Sequence, residues 1–150
     1  MVHSGLRVRP YQSADEPFVA QLATEAFAEF ARRPEPLTLA MLASGSTLIA
    51  ERNGRRVGFS VAEFHADRIT HLNAIAVEYQ HRGLGVGSAL LAAEQARARR
   101  RGSLALELCT ADCNLEALDL FLRRGFRITG RLGHFYGRGQ AACVLRQELG

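Results

Sequence analysis

Residues 77–91 read VEYQHRGLGVGSALL. Gly83, Gly85 and Gly87 alternate between an apolar run, ITHLNAIAV (69–77), and a helix-like pattern that continues to about Arg101. A strand that passes through glycines into a helix leaves the first helical N–H groups without intrahelical partners, and the helix dipole adds partial positive charge there. With no Cβ atoms in the way, such a turn can close around a phosphate or pyrophosphate. The plainer alternative is a tight turn packed on a neighbouring strand. One glycine would serve that purpose, whereas three glycines beside Arg82 favour an anion.

Working outward, residues 6–9 (LRVR) alternate like a short strand. Ser13 and Glu16 predict a capping box for a helix whose apolar face (Phe18, Val19, Leu22, Ala26, Phe27) runs through about Phe30. Pro34 and Pro36 end it, and LTLAMLA (37–43) predicts a shorter second helix. STLIAE (46–51), the turn Asn53-Gly54 and VGFSVAEF (57–64) predict a hairpin, followed by a turn near Ala66-Asp67 and the strand 69–77. The helix opened by the glycines should stop at Gly102. SLALELCT (103–110) reads as a strand, and Asn114 as the N-cap of a helix 115–124 that Gly125 ends. The strands 126–131 and 142–149 flank the glycine-rich GHFYGRG (133–139). The order β-α-α-β-β-β-α-β-α-β-β predicts an α/β fold with a mixed sheet, in one domain spanning 1–150.

The chain has 150 residues, 47% of them hydrophobic and 23% charged, which is the balance of a folded domain. No apolar run approaches the roughly 20 residues of a membrane span, and MVHSGLRVRP has no apolar signal core, so a cytoplasmic protein with no membrane partner is expected. All nineteen basic residues are arginine, at a net charge of +4. The absence of lysine excludes a P-loop lysine and a Schiff-base lysine. The dense basic run ARARRR (96–101) falls where a helix should end, where cations complement the dipole. With no tryptophan and no aromatic-glycine RNA-binding segment, nucleic acid is not an expected partner. Cys109, Cys113 and Cys143 read as reduced thiols. A zinc site drawn from them and His134 lacks any C-x-x-C spacing, so no metal is expected.

A dinucleotide fingerprint fails because Ser88 stands where a third glycine is needed. What fits is R-x-x-G-x-G, as Arg82-Gly83-Leu84-Gly85-Val86-Gly87, with a second frame, Q-x-x-G-x-G, beginning at Gln80. Further on, NLEALDLFLRRGF (114–126) matches N-x-x-A-x-x-x-[YF]-x-x-x-G-F. Together these segments resemble the acetyl-CoA loop and the following helix of the GNAT family of N-acetyltransferases, particularly the ribosomal-protein and other N-terminal acetyltransferases. The resemblance rests on 69–91 and 114–126 and extends in element order over 6–149.

The resemblance implies a mostly antiparallel sheet that splays between its fourth and fifth strands, with acetyl-CoA as co-substrate. Backbone groups of Ile75, Ala76 and Val77 would hold its acetyl and pantetheine portion. Arg82, Gly83, Leu84, Gly85, Val86, Gly87 and Ser88 would hold its pyrophosphate. Asn114 would lie near the pantetheine, a plain N-cap being its other reading, and Phe121 would pack on the cofactor. The implied reaction is direct attack by a primary amine, on a small molecule or a protein N-terminus. Such folds are also often homodimers.

A base is then needed, and His71 is the best candidate. Several relatives carry glutamate there, and arylalkylamine N-acetyltransferases carry histidine in a similar run. An imidazole with a pKa of about 6.5 can accept the proton. Strand alternation puts His71, Asn73 and Ile75 on one face, where a core or surface histidine is the bland alternative. Glu63 and Glu51 are lesser candidates. Phe121 stands where many members carry a tyrosine acid, which leaves Tyr136 for that role by topology and His134 for touching substrate. It also keeps open a non-catalytic acyl-CoA sensor. Glu25, Glu29 and Glu63 are acidic residues able to attract a cationic amine.

Overall fold

The computed structural model describes residues 5–30, 46–133 and 141–150. A seven-stranded sheet runs in the order β1-β2-β3-β4-β5-β7-β6. Its strands are β1 (Leu6–Pro10), β2 (Thr47–Arg52), β3 (Arg55–Phe64), β4 (Ile69–Val77), β5 (Ala105–Ala111), β6 (Arg127–Leu132) and β7 (Ala142–Glu148). Every neighbouring pair is antiparallel except β4 and β5. The β2–β3 hairpin turns at Asn53 (φ 53°) and Gly54 (φ 82°), both left-handed, as a tight hairpin turn requires.

Among the described residues three helices cover the sheet: α1 (Glu16–Phe30), α2 (Val86–Arg100) and α3 (Leu115–Arg123). On one face, Val19, Leu22 and Ala23 of α1 pack with Ile49, Phe59, Val61, Ala74 and Ala76. On the other, Val86 and Leu90 of α2 pack over Leu48, Ala50 and Val57. Leu91 and Ala98 join Leu72, Leu106, Leu145 and Phe121 of α3. Each such buried aliphatic side chain contributes roughly 1.5–3 kcal/mol. The crossover β4–α2–β5 connects the one parallel pair, which puts the glycine turn at the end of β4, over the sheet.

The expected Ser13–Glu16 capping box is not formed. A short 3₁₀ turn (Ser13–Asp15) precedes α1, and the Asp15 carboxylate accepts the Gln12 N–H at 2.8 Å instead. The frame shifts because Asp15 is wholly buried, where Arg9 and Arg56 converge on it. The basic run at the end of α2 is also not uniformly solvated. Arg97 is nearly buried, donating to Glu94 and to the Ser46 carbonyl, while Glu94 also accepts from Ser60 Oγ. Gly102, at φ 77°, ends α2 as expected. The helix expected over 37–43 lies outside the described residues.

Candidate functional site

The parallel pairing of β4 with β5 is short. Ile69, Thr70, His71 and Leu72 pair with Ala105, Leu106, Glu107 and Leu108, and the pairing ends there. Beyond it β4 keeps only β3 as a neighbour, through Ala74, Ile75, Ala76 and Val77, while residues 109–111 pair with β7. The two strands therefore splay, and residues 73–77 present an unpaired strand edge to the wedge. An extended chain of the right width can pair along such an edge as an added strand.

The glycine turn lies at the end of this edge. Tyr79–His81 forms a 3₁₀ turn, and Gly83 (φ 74°) and Gly85 (φ 89°) are left-handed. A Cβ at either glycine would meet nothing within 4 Å, so the turn borders open space. Gly85 caps α2 without a side-chain hydrogen bond, and the first helical bond runs from Ala89 N–H to Gly85 O. The N–H groups of Val86, Gly87 and Ser88 thus precede the ladder at the positive end of the dipole. Arg82 Nε donates to Val77 O at 3.3 Å, and its guanidinium lies 5.5 Å from the Tyr79 ring centroid. Arg52 donates to Leu84 O at 3.1 Å. Two carbonyls near the turn are thereby turned onto arginines, which suits a site for an anion.

Gly87 and Gly58 play a different part. A Cβ on Gly87 would sit 3.3 Å from Leu120 Cδ2, so this glycine sets the approach of α3 to α2. A Cβ on Gly58 would sit 2.8 Å from Ala76 O, with Val86 and Leu90 at 3.2 and 3.3 Å. Gly58 therefore lets the first turn of α2 lie directly on β3, which positions the glycine turn. Sequence reasoning passed over it, although a glycine inside an apolar strand is a known mark of close approach.

Asn114 caps α3, its Oδ1 accepting the Ala117 N–H at 3.2 Å. Phe121 is buried edge-on to Phe126, at 5.7 Å between ring centroids. Ile75 and Val77 are half-buried against the α2 cluster, whereas Ala76 belongs to the α1 cluster.

His71 does not share a face with Ile75. Val61 pairs with Ala74 and Ala62 with Leu72, so Asn73 is an extra residue in β4, a bulge. The bulge reverses the alternation. His71 lies in register with Glu63 of β3 and Glu107 of β5, and Glu107 with Arg146 of β7, giving a row across the sheet on the α1 face. The His65 ring lies 4.2 Å from that of His71. Asn73 donates to the Glu63 carboxylate, and Arg146 to Glu107. Cys109, one step into the splay, has its thiol pKa pushed up by desolvation and by the Glu107 carboxylate.

Of the remaining residues singled out, Glu51 is committed to Arg7 and Arg9, and Arg9 holds its carboxyl below the ordinary range. Glu25, on α1, accepts from Gln21. Tyr136 and His134 lie outside the described residues, as does the side chain of Glu29. Among the described residues no three His, Cys, Asp or Glu side chains gather as metal ligands, and no helix is long and apolar enough to cross a membrane.

The family described as Acetyltransferase (GNAT) matches residues 9–126. A mycothiol acetyltransferase from Sanguibacter keddieii is 34% identical over 139 residues, covering 81% of this chain and 44% of the relative. The chain spans less than half the length of the curated relatives it matches. Among solved structures, Ard1 from Thermoplasma volcanium superposes with a TM-score of 0.84 at 24% identity, covering 97% of this chain and 98% of the other. YncA from Salmonella typhimurium, a putative acetyltransferase solved with acetyl-CoA, gives 0.84 at 18% identity over 97% and 95%.

Proposed function

The chain belongs to the acetyltransferase (GNAT) family, and from that premise we propose that it is an acetyl-CoA-dependent N-acetyltransferase acting on a primary amine. The observation that carries this reading is the wedge between β4 and β5, with the open glycine turn at its end. An extended arm fits the wedge and an anion fits the turn, which matches the two parts of coenzyme A. The backbone of Ile75, Ala76 and Val77 would pair with the arm. The N–H groups of the segment from Arg82 through Gly83, Leu84, Gly85, Val86 and Gly87 to Ser88 would receive the pyrophosphate. Asn114 and Phe121 would border the arm from α3.

When bound, acetyl-CoA supplies the thioester carbonyl; the C–N bond forms there, the C–S bond breaks and coenzyme A thiol leaves. His71 takes the proton that the acceptor ammonium must lose before it can attack. Its place one residue before the last rung between β4 and β5 supports that role. The raised pKa of Cys109 supports direct attack without an acyl-enzyme at that thiol. Tyr136 is retained as the acid that protonates the departing thiolate. The acceptor is a small-molecule amine or a peptide N-terminus, and both belong in any panel, since the curated relatives are named mycothiol acetyltransferases.

A second reading, an acyl-CoA sensor that transfers nothing, is favoured by Phe121, a buried ring with no proton to give. Calorimetric titration with acetyl-CoA tests both readings, and absence of binding at high micromolar cofactor would end both. Release of free thiol against amines and N-terminal peptides separates them. Turnover establishes the enzyme; binding without turnover on any acceptor leaves the sensor.

A further inference from the structure

Among the described residues, the row that holds His71 contains a carboxylate without a cation. The chain has nineteen basic and fifteen acidic side chains, so arginines are in surplus. Most carboxylates on the sheet are taken up by them: Asp15 by Arg9 and Arg56, Glu51 by Arg7 and Arg9, Glu107 and Glu148 by Arg146. Glu63 is different. It is exposed, it sits in register with His71, and its hydrogen-bond partner is the neutral amide of Asn73. Asn73 can reach it because it is the extra residue of the β4 bulge. Among the described residues, the other groups around the pair are His65, Glu107 and, beyond Glu107, Arg146, which pairs with it. Among the described residues, the closed end of the wedge therefore holds a carboxylate without an arginine partner beside the candidate base.

We propose that Glu63, held by Asn73, is the anchor that captures the acceptor as an ammonium ion and presents it to His71. The proposal rests on the acetyl-transfer reading and deepens it by naming the substrate class. Acceptors are amines that arrive as cations with no carboxylate close by, such as polyamines and peptide N-termini. Free amino acids, whose own carboxylate would face Glu63, are poor acceptors. The ammonium gives one proton to His71, and the amine that remains beside Glu63 is the nucleophile.

Steady-state kinetics test this, with spermidine and a tetrapeptide amide as cationic acceptors and a free amino acid as the zwitterionic one. Glu63→Gln should raise KM for the cationic acceptors about tenfold while kcat changes by less than about twofold, because uniform binding has been removed. Asn73→Ala should raise KM by a smaller factor, and Glu63→Asp should recover part of the loss. In the wild type KM should climb with ionic strength, since the attraction is screened over about 8 Å at physiological salt; in Glu63→Gln that dependence should flatten. Calorimetry should give the same acetyl-CoA affinity in Glu63→Gln and Glu63→Asp as in the wild type, which rules out misfolding as the cause. An unchanged KM, an unchanged salt dependence, or a collapse of kcat at constant KM would each overturn the anchor. If the wild type binds acetyl-CoA but acetylates nothing, the transfer reading fails separately. Spermidine binding to the CoA-loaded protein then decides the anchor: binding that Glu63→Gln abolishes sustains it, and absence of binding overturns it.

Discussion

Asp15 is wholly buried, and both its oxygens accept from Arg9, one also from Arg56 and the other from the Gln12 N–H. The Arg9 guanidinium, against the cost of burial and with help from Arg56, holds this carboxyl far below the usual carboxylate range. A folded-state pKa below the unfolded value of about 3.9 means that the contribution is complete above that value and is lost as pH falls through the folded pKa. Asp15→Asn should therefore cost about 3–5 kcal/mol at pH 7, the penalty for breaking a buried pair. The gap from wild type should be constant above about pH 5 and narrow below about pH 4, as urea denaturation at the two ends would register. Gly85 poses a different residue-scale problem, for its φ of 89° is strained for any L side chain, yet a Cβ there meets no protein atom. Gly85→Ala should cost only about 1–2 kcal/mol of fold stability. The new methyl group enters the space where the pyrophosphate would lie, so calorimetry should find acetyl-CoA affinity weakened about tenfold or more.

At the scale of elements, the seat of α2 depends on Gly58. Adding a methyl there places carbon 2.8 Å from Ala76 O, so β3 and the first turn of α2 must separate. Gly58→Ala should lose about 1–3 kcal/mol by thermal denaturation, in the range for overpacking. It should also weaken acetyl-CoA binding, because the same turn carries the cradle. Phe121→Tyr tests α3. The ring is buried beside Phe126, and a hydroxyl added there should lower the stability of the unliganded protein by about 1–3 kcal/mol. Most of these elements could be read from the sequence because their signals are local: Asn53-Gly54 for the hairpin, Asn114 for the α3 cap, Gly102 and Gly125 for helix ends. Three features were not legible for a common reason. HLNAIAV alternates cleanly as text, and only pairing with β3 reveals that Asn73 is an extra residue. The α1 cap moved to Asp15 because Arg9 and Arg56 reach it from other strands, and Arg97 left solvent because Glu94 and Ser46 O are folded against it. Long-range partners decide such details, and a local pattern carries no trace of them.

Across the whole molecule, the sheet consists of an antiparallel set, β1 to β4, and a second set, β5, β7 and β6, joined by four rungs between β4 and β5. One end of that joint is stitched. Arg68 donates to Gly102 O and accepts the Leu104 N–H at its own carbonyl, and the Thr70 and Ser103 hydroxyls share a buried hydrogen bond. Behind it, Gln95 of α2 bonds Gln147 of β7 and the Arg124 carbonyl at the end of α3. The other end, from Asn73 to Val77, has no rung. A molecule that fills the wedge supplies the missing strand partner there, and acts as a clamp between the two sets. Hydrogen exchange should accordingly change unevenly when acetyl-CoA is added. Amides at 73–77 and at the start of α2 should gain more protection than those of 69–72 and 105–108, which are already paired. Linkage adds a global term of about 2.7 kcal/mol at a ligand concentration 100 times Kd. For a chain of this size that amounts to a Tm increase of roughly 5–10 °C. Equal protection at both ends of β4, with the same increase in Tm, would locate the ligand elsewhere on the surface. The unevenness along one strand is therefore the measurement that tests the wedge itself.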